Sequence, residues 1–282
     1  MRNVNMQVPE GSIYGFLGAN GAGKTTTLRL ILGLLKIQQG SISIFGKSFR
    51  DNRVAILRKI GSLIENPSVY GHLTAYENLS LLQKVYRCPR QNIIEALRAV
   101  DLPIDTSKKA GQFSLGMKQR LGIAIALMHD PALLILDEPT NGLDPNGMIE
   151  MRELLRRLNR EKGTTIIMSS HLLAEIERLV THVGIISKGT LMFQGSLGEL
   201  KAKQQQLLHV VLETNDAMKT ARIIDTHGVS YRHDDGRLIL PAIPKSLIAE
   251  INCTLVREGV EVYEIKGIKN DLESIFMDLI AH

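Results

Sequence analysis

The chain has 282 residues, a length that accommodates about two domains of roughly 150 residues each. Hydrophobic residues make up 44% of it and charged residues 22%, a composition that excludes a largely disordered protein. The formal net charge of +5 is mildly basic, and lysines on a solvated surface explain it. We therefore expect no nucleic-acid partner.

The sequence pattern contains no segment of the kind that directs a chain into a membrane. The richest apolar stretch, residues 121–136, is interrupted by His129 and Asp130, and a membrane helix needs about 18 uninterrupted apolar residues. Residues 1–8 lack the apolar core of a secretory signal. The two cysteines have neither metal-ligand nor disulfide spacing. We expect a soluble cytoplasmic protein.

Strands alternate with helices along the first two thirds of the chain. Residues 12–17 predict a buried strand, and a glycine-rich loop and a helix over residues 24–35 follow it. Further short apolar runs predict strands at residues 133–136, 164–168 and 183–187. This alternation is typical of an α/β fold with a mostly parallel sheet covered on both faces. Residues 73–128 show helical periodicity and predict a helical subdomain inserted into this core.

A second, smaller domain is predicted after the polar residues Gln204 to Gln206, which divide the chain into residues 1–203 and 207–282. The second domain has the predicted order strand 207–213, helix 216–225, strands 229–232 and 237–240, helix 244–257 and strand 260–265. That βαββαβ order is typical of a ferredoxin-like α+β domain. An amphipathic helix over residues 271–279 is predicted to close the chain.

A glycine-rich phosphate loop lies between the first strand and the first helix, and it matches G-x-x-x-x-G-K-[ST]. Its backbone N–H groups and the start of the helix can surround phosphate oxygens. Lys24 supplies a charge for the terminal phosphates and Thr25 a hydroxyl ligand for Mg²⁺. The alternative is a glycine-rich turn that merely contains a lysine. The residues predicted to bind nucleotide here are Gly18, Ala19, Asn20, Gly21, Ala22, Gly23, Lys24, Thr25 and Thr26.

Two carboxylates, Asp137 and Glu138, follow the predicted strand 133–136 directly. Ligands of doubly wound sheets bind at the carboxyl ends of the strands. Asp137 is therefore predicted to hold Mg²⁺, and Glu138 to orient or deprotonate the water that attacks the γ-phosphate. A pair of acids that caps a helix is the alternative for the motif taken alone.

The sequence resembles the ATPase subunits of ATP-binding-cassette (ABC) transporters over residues 1–203. Besides the phosphate loop and the acidic pair, the resemblance rests on F-S-L-G-M-K-Q-R at residues 113–120, N-G-L-D-P at 141–145, and His171 after a strand. The subfamily that it most resembles is the bacitracin-resistance and lantibiotic-immunity exporters, which use S-L-G-M-K-Q-R at this position. The resemblance implies a P-loop NTPase fold and hydrolysis of ATP with Mg²⁺.

In this family two subunits enclose ATP between them, so the resemblance implies a homodimer. Ser114 and Gly116 match residues that contact the nucleotide of the partner subunit, although Leu115 and Met117 depart from the common L-S-G-G-Q motif. From the residues alone, Ser114 is a helix cap. Asp144 matches a residue at the dimer seam. His171 matches the histidine that contacts the γ-phosphate and supports the attacking water.

Two further departures concern Mg²⁺ and adenine. Glu65 stands where most of the family has glutamine. A carboxylate there could coordinate Mg²⁺ more strongly than an amide. The alternative is a surface acid before a proline turn. The aromatic residue that stacks on adenine in related chains has no counterpart upstream of the loop. Either Met1 is a late start, or other apolar contacts hold the adenine.

The function we expect is that of the ATPase subunit of an exporter, at the inner face of the membrane beside a separately encoded permease, with a bacitracin- or lantibiotic-like peptide as cargo. In the family that the sequence resembles, the neighbourhood after Glu65 receives a short helix of the permease, so exposed apolar residues there would mark a docking groove; a packed core is the alternative. The residues in this neighbourhood are Tyr70, His72, Leu73, Tyr76 and Tyr86. Another cargo (a drug, a lipid or an ion) is an alternative. A soluble ATPase that acts on DNA or ribosomes is another, although the sequence shows no long coiled coil and has a single phosphate loop.

Overall fold

The computed structural model describes residues 4–65, 67–104, 106–172, 177–205 and 209–268, the side chains of 203–205 and 268 excepted. The predicted helix over residues 271–279 lies outside these ranges. The chain forms two compact units, Met1–Leu197 and Gly198–His282. Within the described ranges, no helix has both the length and the apolar character to cross a bilayer.

The described residues of the first unit form the strands β1 Ile13–Leu17, β2 Ser43–Ile44, β3 Lys47–Ser48, β4 Ile60–Leu63, β5 Leu133–Leu136, β6 Thr165–Ser170, β7 His182–Ser187 and β8 Thr190–Ser196. Its helices are α1 Lys24–Ile31, α2 Phe49–Leu57, α3 Ala75–Tyr86, α4 Gln91–Ala99, α5 Leu115–Leu127 and α6 Pro145–Lys162, with a short 3₁₀ helix at Ala110–Gln112. Helix α7, Leu197–Gln205, follows at the boundary between the units.

Six of these strands form one sheet in the order β4-β5-β6-β1-β7-β8. All its neighbouring strands are parallel except β7 and β8, which are joined through Lys188 and Gly189, both with positive φ. A two-residue turn of this kind requires an antiparallel pair. Every residue of β1 and of β5 is buried. Such continuous burial is the pattern of a parallel sheet covered on both faces, as the sequence predicted.

The predicted helical region at residues 73–128 contains α3, α4, the 3₁₀ helix and α5. Helix α3 begins at a capping box in which Thr74 and Glu77 each accept a hydrogen bond from the other's backbone N–H. Helix α5 begins at Ser114, whose hydroxyl oxygen accepts from the N–H of Met117 at 3.2 Å. The cap that the sequence predicts at Ser114 is therefore present.

The second unit has the order β9 His209–Thr214, α8 Ala217–Thr226, β10 Arg232–Asp234, β11 Arg237–Leu240, α9 Lys245–Arg257 and β12 Val262–Ile268. Its antiparallel sheet has the strand order β10-β11-β9-β12, and the βαββαβ order is the predicted one. The strand predicted over residues 229–232 has other bounds in the structure: β10 pairs with β11 from Arg232 to Asp234, and Val229 packs in the core ahead of it. The turn residues Asp235 and Gly236 both have positive φ.

Candidate nucleotide site

The phosphate loop connects the end of β1 to the start of α1. Gly21 and Gly23 have φ angles of 81° and 111°, a region that glycine adopts at little cost. A Cβ atom on Gly18 would lie 2.5 Å from the backbone oxygen of Ile186, so no larger residue fits there without movement. The loop can therefore keep its backbone close to the sheet while its N–H groups surround a phosphate.

Lys24 is the first residue of α1, and its side chain is only 6% exposed. Its Nζ atom donates a hydrogen bond of 2.7 Å to the backbone oxygen of Gly18. The same atom lies 3.1 Å from Oε1 of Glu138. The ammonium group is thus held inside the loop, next to the second carboxylate of the acidic pair.

Asp137 follows β5, is buried, and accepts hydrogen bonds on both carboxylate oxygens. The Thr25 hydroxyl donates to Oδ2 at 2.7 Å, and the Ser169 hydroxyl donates to Oδ1 at 2.6 Å. Because Leu136 pairs with Met168 in the parallel register of β5 and β6, Asp137 lies opposite Ser169. The Thr25 and Asp137 oxygens form a hard donor pair of the type that Mg²⁺ binds together with phosphate oxygens.

Glu138 has a φ of 49°, in the left-handed region, and the Ser169 hydroxyl accepts a 2.8 Å hydrogen bond from its backbone N–H. Its Oε2 lies 2.8 Å from Nδ1 of His171. An ionised carboxylate can only accept, so in this contact Nδ1 is the donor to Glu138. The Glu138 carboxylate is therefore held between two basic groups, Lys24 and His171.

Ser114, Gly116 and Asp144 line a separate groove of about 930 Å³ at the starts of α5 and α6. Asp144 caps α6, and its Oδ1 accepts from the N–H of Gly147 at 3.0 Å. Gly142, with a φ of 74°, packs so closely that a Cβ would lie 2.9 Å from Leu115 Cδ2. These predicted site residues thus fall into two groups. One is a cluster linked by side-chain contacts and consists of Lys24, Thr25, Asp137, Glu138 and His171. The other group lines the groove and lies apart from this cluster.

Glu65 has a positive φ of 63°, is largely exposed, and forms an ion pair with Arg29 of α1. Sequence reasoning missed Arg29 and also Ser169, which is fully buried and holds both members of the acidic pair. One signal for Ser169 was available: two polar residues, Ser169 and Ser170, close an otherwise apolar strand immediately before His171.

The sequence matches the family model described as "ABC transporter" over residues 1–141. It is 46% identical to a bacitracin transport ATP-binding protein of Bacillus licheniformis, across 99% of this chain and 92% of that protein. It is 44% identical to a lantibiotic transport ATP-binding protein of Streptococcus pyogenes, across 69% of this chain and 83% of that protein.

Among solved structures, the chain resembles the ATP-binding cassette MJ0796, a dimer in a post-hydrolysis state bound to ADP and Pi. The TM-score is 0.62 and the identity 28%, across 69% of this chain and 89% of that one. These similarities extend over the phosphate loop and the acidic pair whose geometry is described above. The chain therefore belongs to the ABC transporter family, and it is an ATP-binding, ATP-hydrolysing subunit of that family.

Proposed function

We propose that this subunit works as a homodimer that encloses ATP between its two copies and powers a separate membrane permease for export of a peptide antibiotic. The observation that supports this most directly is the contact chain Lys24–Glu138–His171 at the phosphate loop. In it Glu138, the proposed base, lies within hydrogen-bond distance of Lys24, the proposed cation for the phosphates, and of His171, the proposed supporting histidine.

In the proposed reaction, a water molecule attacks the γ-phosphorus while the bond from that phosphorus to the β–γ bridging oxygen breaks, so that ADP leaves and Glu138 accepts the proton of the water. His171 orients Glu138 through Nδ1. When the triphosphate binds, the Lys24 ammonium leaves Glu138 and pairs with the phosphate oxygens. Thr25 and Asp137 are the residues that would hold Mg²⁺, which when bound neutralises charge on the phosphate oxygens. Exposed Glu65 is a candidate for an additional contact to this ion once it releases Arg29.

The separate groove supports the dimer. Two helices begin there, capped by Ser114 and Asp144, and the N-terminal end of a helix attracts anions. These ends do not contact the Lys24 cluster of their own subunit in any hydrogen bond or ion pair found among the described residues. A second copy would supply them, as one solved relative is a dimer.

An exposed apolar surface in the helical subdomain supports a permease partner. Val85 is 73% exposed and Tyr70 56%, and Leu81 and Tyr86 are also exposed. Exposed apolar side chains grouped on one surface are typical of a docking site. In an ABC transporter this partner is the permease, and the subunit would then act at the inner face of the membrane. The names of the relatives favour bacitracin or a lantibiotic as cargo.

The test is to express this chain in a sensitive bacterium together with any polytopic membrane protein that is encoded beside it, and to measure the minimal inhibitory concentrations of bacitracin, a lantibiotic and unrelated drugs. We expect protection against one peptide antibiotic, and loss of that protection with Glu138→Gln. Protection against an unrelated drug alone would show that the cargo is that drug and not a peptide antibiotic. If the chain has no membrane partner and DNA or ribosomes stimulate its ATPase activity, the proposed role in transport is wrong.

A further inference from the structure

Arg120, in the sixth position of helix α5, joins that helix to α6. One of its terminal nitrogens, Nη2, donates to Oε2 of Glu150 at 2.7 Å. The other, Nη1, donates to the backbone oxygen of Val100 at 3.0 Å and lies 3.3 Å from Oδ2 of Asp101. The Arg120 side chain is only 15% exposed, so this guanidinium is held more tightly than an ordinary surface arginine.

Arg157 of α6 strengthens the same connection from the opposite side. Its Nη2 donates to the backbone oxygen of Ala99 and to Oδ2 of Asp101, both at 2.8 Å. Glu153, one turn earlier on α6, pairs with Arg156 and not with Arg157. Two arginines thus bind carbonyl groups at the end of α4, where cations are favourable, and share the carboxylate of Asp101.

The ion pair between Arg120 and Glu150 lies on the groove that Ser114 and Asp144 also line. Arg120 follows the cap Ser114 by six residues, and Glu150 follows the cap Asp144 by six residues. The pair therefore joins α5 and α6 at the same distance from their two capped ends. A shift of one helix along the other would separate the two charges.

We infer that Arg120 is a positioning residue for the dimer: through Glu150 it fixes the capped end of α5, with Ser114, relative to the capped end of α6, with Asp144. The inference rests on the proposed function, in which both ends meet the nucleotide of the partner subunit. Preorganised groups bind more tightly because they lose less freedom on assembly. The network acts on assembly of the dimer and leaves the phosphate loop of the same subunit unaffected.

The test uses the full chain with Glu138→Gln as the parent, so that ATP is not consumed. Glu150→Gln removes the charge that Arg120 contacts. Glu153→Gln is the matched control, because Glu153 lies on the same helix, is also 63% exposed, and has its ion pair among the described residues within α6. Sedimentation with ATP gives the dissociation constant of the dimer, a fluorescent ATP analogue gives nucleotide affinity of the dilute monomer, and thermal unfolding gives Tm.

We expect Glu150→Gln to weaken the ATP-bound dimer about fivefold, with monomer affinity and Tm unchanged, and Glu153→Gln to alter none of the three. Arg120→Lys should weaken the dimer similarly, because an ammonium cannot donate in both directions as the guanidinium does. A Glu150→Gln dimer as tight as the parent's, or a parallel loss of monomer binding and Tm, would overturn the inference alone. A parent that ATP does not dimerise would overturn the proposed function and this inference with it.

Discussion

Lys24 and Glu138 form an ion pair in which Nζ of the lysine lies 3.1 Å from Oε1 of the glutamate, at the point where the phosphate loop meets the end of β5. The two residues are 114 positions apart in sequence. Glu138 also contacts His171, which follows strand β6. A single carboxylate thus links the phosphate loop to the end of that strand. We therefore expect substitutions of Lys24 and of Glu138 to have different effects.

Lys24→Ala should weaken ATP binding by at least tenfold. The substitution removes the ammonium group, and charged hydrogen bonds of this type contribute about 1.5–3 kcal/mol each. Titration of the purified chain with a fluorescent ATP analogue measures the affinity. Lys162→Ala is the control, because Lys162, the last residue of α6, forms an exposed ion pair with Asp130, which precedes β5. Near-normal affinity in Lys24→Ala would remove the loop from the nucleotide site.

Glu138→Gln should lower the turnover number by roughly 10²–10⁴-fold, since the amide cannot accept the proton of the attacking water. Binding of ATP should persist, because the amide keeps the shape of the side chain and releases Lys24 to the phosphates. Phosphate release measures turnover, and size-exclusion chromatography with ATP should show a stable dimer. If turnover continues at the parental rate, Glu138 is not the base.

Ser169→Ala should reduce both stability and kcat. The hydroxyl is fully buried and bonds Asp137 and the backbone of Glu138, so its loss leaves two buried groups without partners, at a cost of about 1–3 kcal/mol. We expect kcat to fall about tenfold with little change in KM, because the acids lose their positions while the loop remains intact.

Ser170→Ala provides the control for that result. Ser170 is equally buried on the same strand, but its hydroxyl bonds Leu172 and not the acidic pair. Chemical denaturation and steady-state kinetics measure the two variants side by side. Equal losses of kcat in both would show that Ser169 acts through general stability alone.

Glu65→Gln should raise the Mg²⁺ concentration needed for half-maximal ATPase activity, if the carboxylate reaches the ion as proposed. Arg29→Gln separates the two roles of Glu65, because it breaks the ion pair and keeps the carboxylate. Its Mg²⁺ requirement should stay the same or fall. An unchanged Mg²⁺ requirement in Glu65→Gln would make Glu65 an ordinary surface acid before Pro67.

The unfolding free energy should decrease as the pH falls below about 6.5, because of His129. Burial lowers the pKa of this imidazole, which stacks on Tyr86 and contacts the backbone oxygen of Ile60 through Nε2. In the acidic range the unfolded state therefore binds a proton that the folded state does not. The stabilisation is present above pH 6.5 and is lost towards the lowered pKa of the folded state.

Denaturant titrations between pH 7.5 and pH 5 (roughly one unit on either side of the histidine pKa) measure this slope. His129→Gln should flatten it. His72→Gln is the control, since His72 is an exposed histidine just before the helical subdomain. An unchanged slope in His129→Gln would assign the pH dependence to other groups.

Local pattern alone predicted the phosphate loop and the acidic pair. The loop is contiguous, so a strand, a glycine turn and a helix dictate its geometry without help from the rest of the chain. The same holds for the cap at Ser114, which accepts from an N–H three residues further on; the cap at Asp144 was not predicted and is seen only in the structure. Hydrophobic periodicity likewise predicted the parallel core and the βαββαβ order of the second unit.

Only the tertiary structure decided which residues support that site. Ser169 bonds Asp137 across 32 positions, Arg29 pairs with Glu65 across 36, and Arg120 pairs with Glu150 across 30. The first contact depends on the register of β5 against β6. The other two contacts depend on how the helices and loops pack around the buried core. Periodicity specifies which face of an element is buried, but partners distant in sequence meet only when the whole core packs.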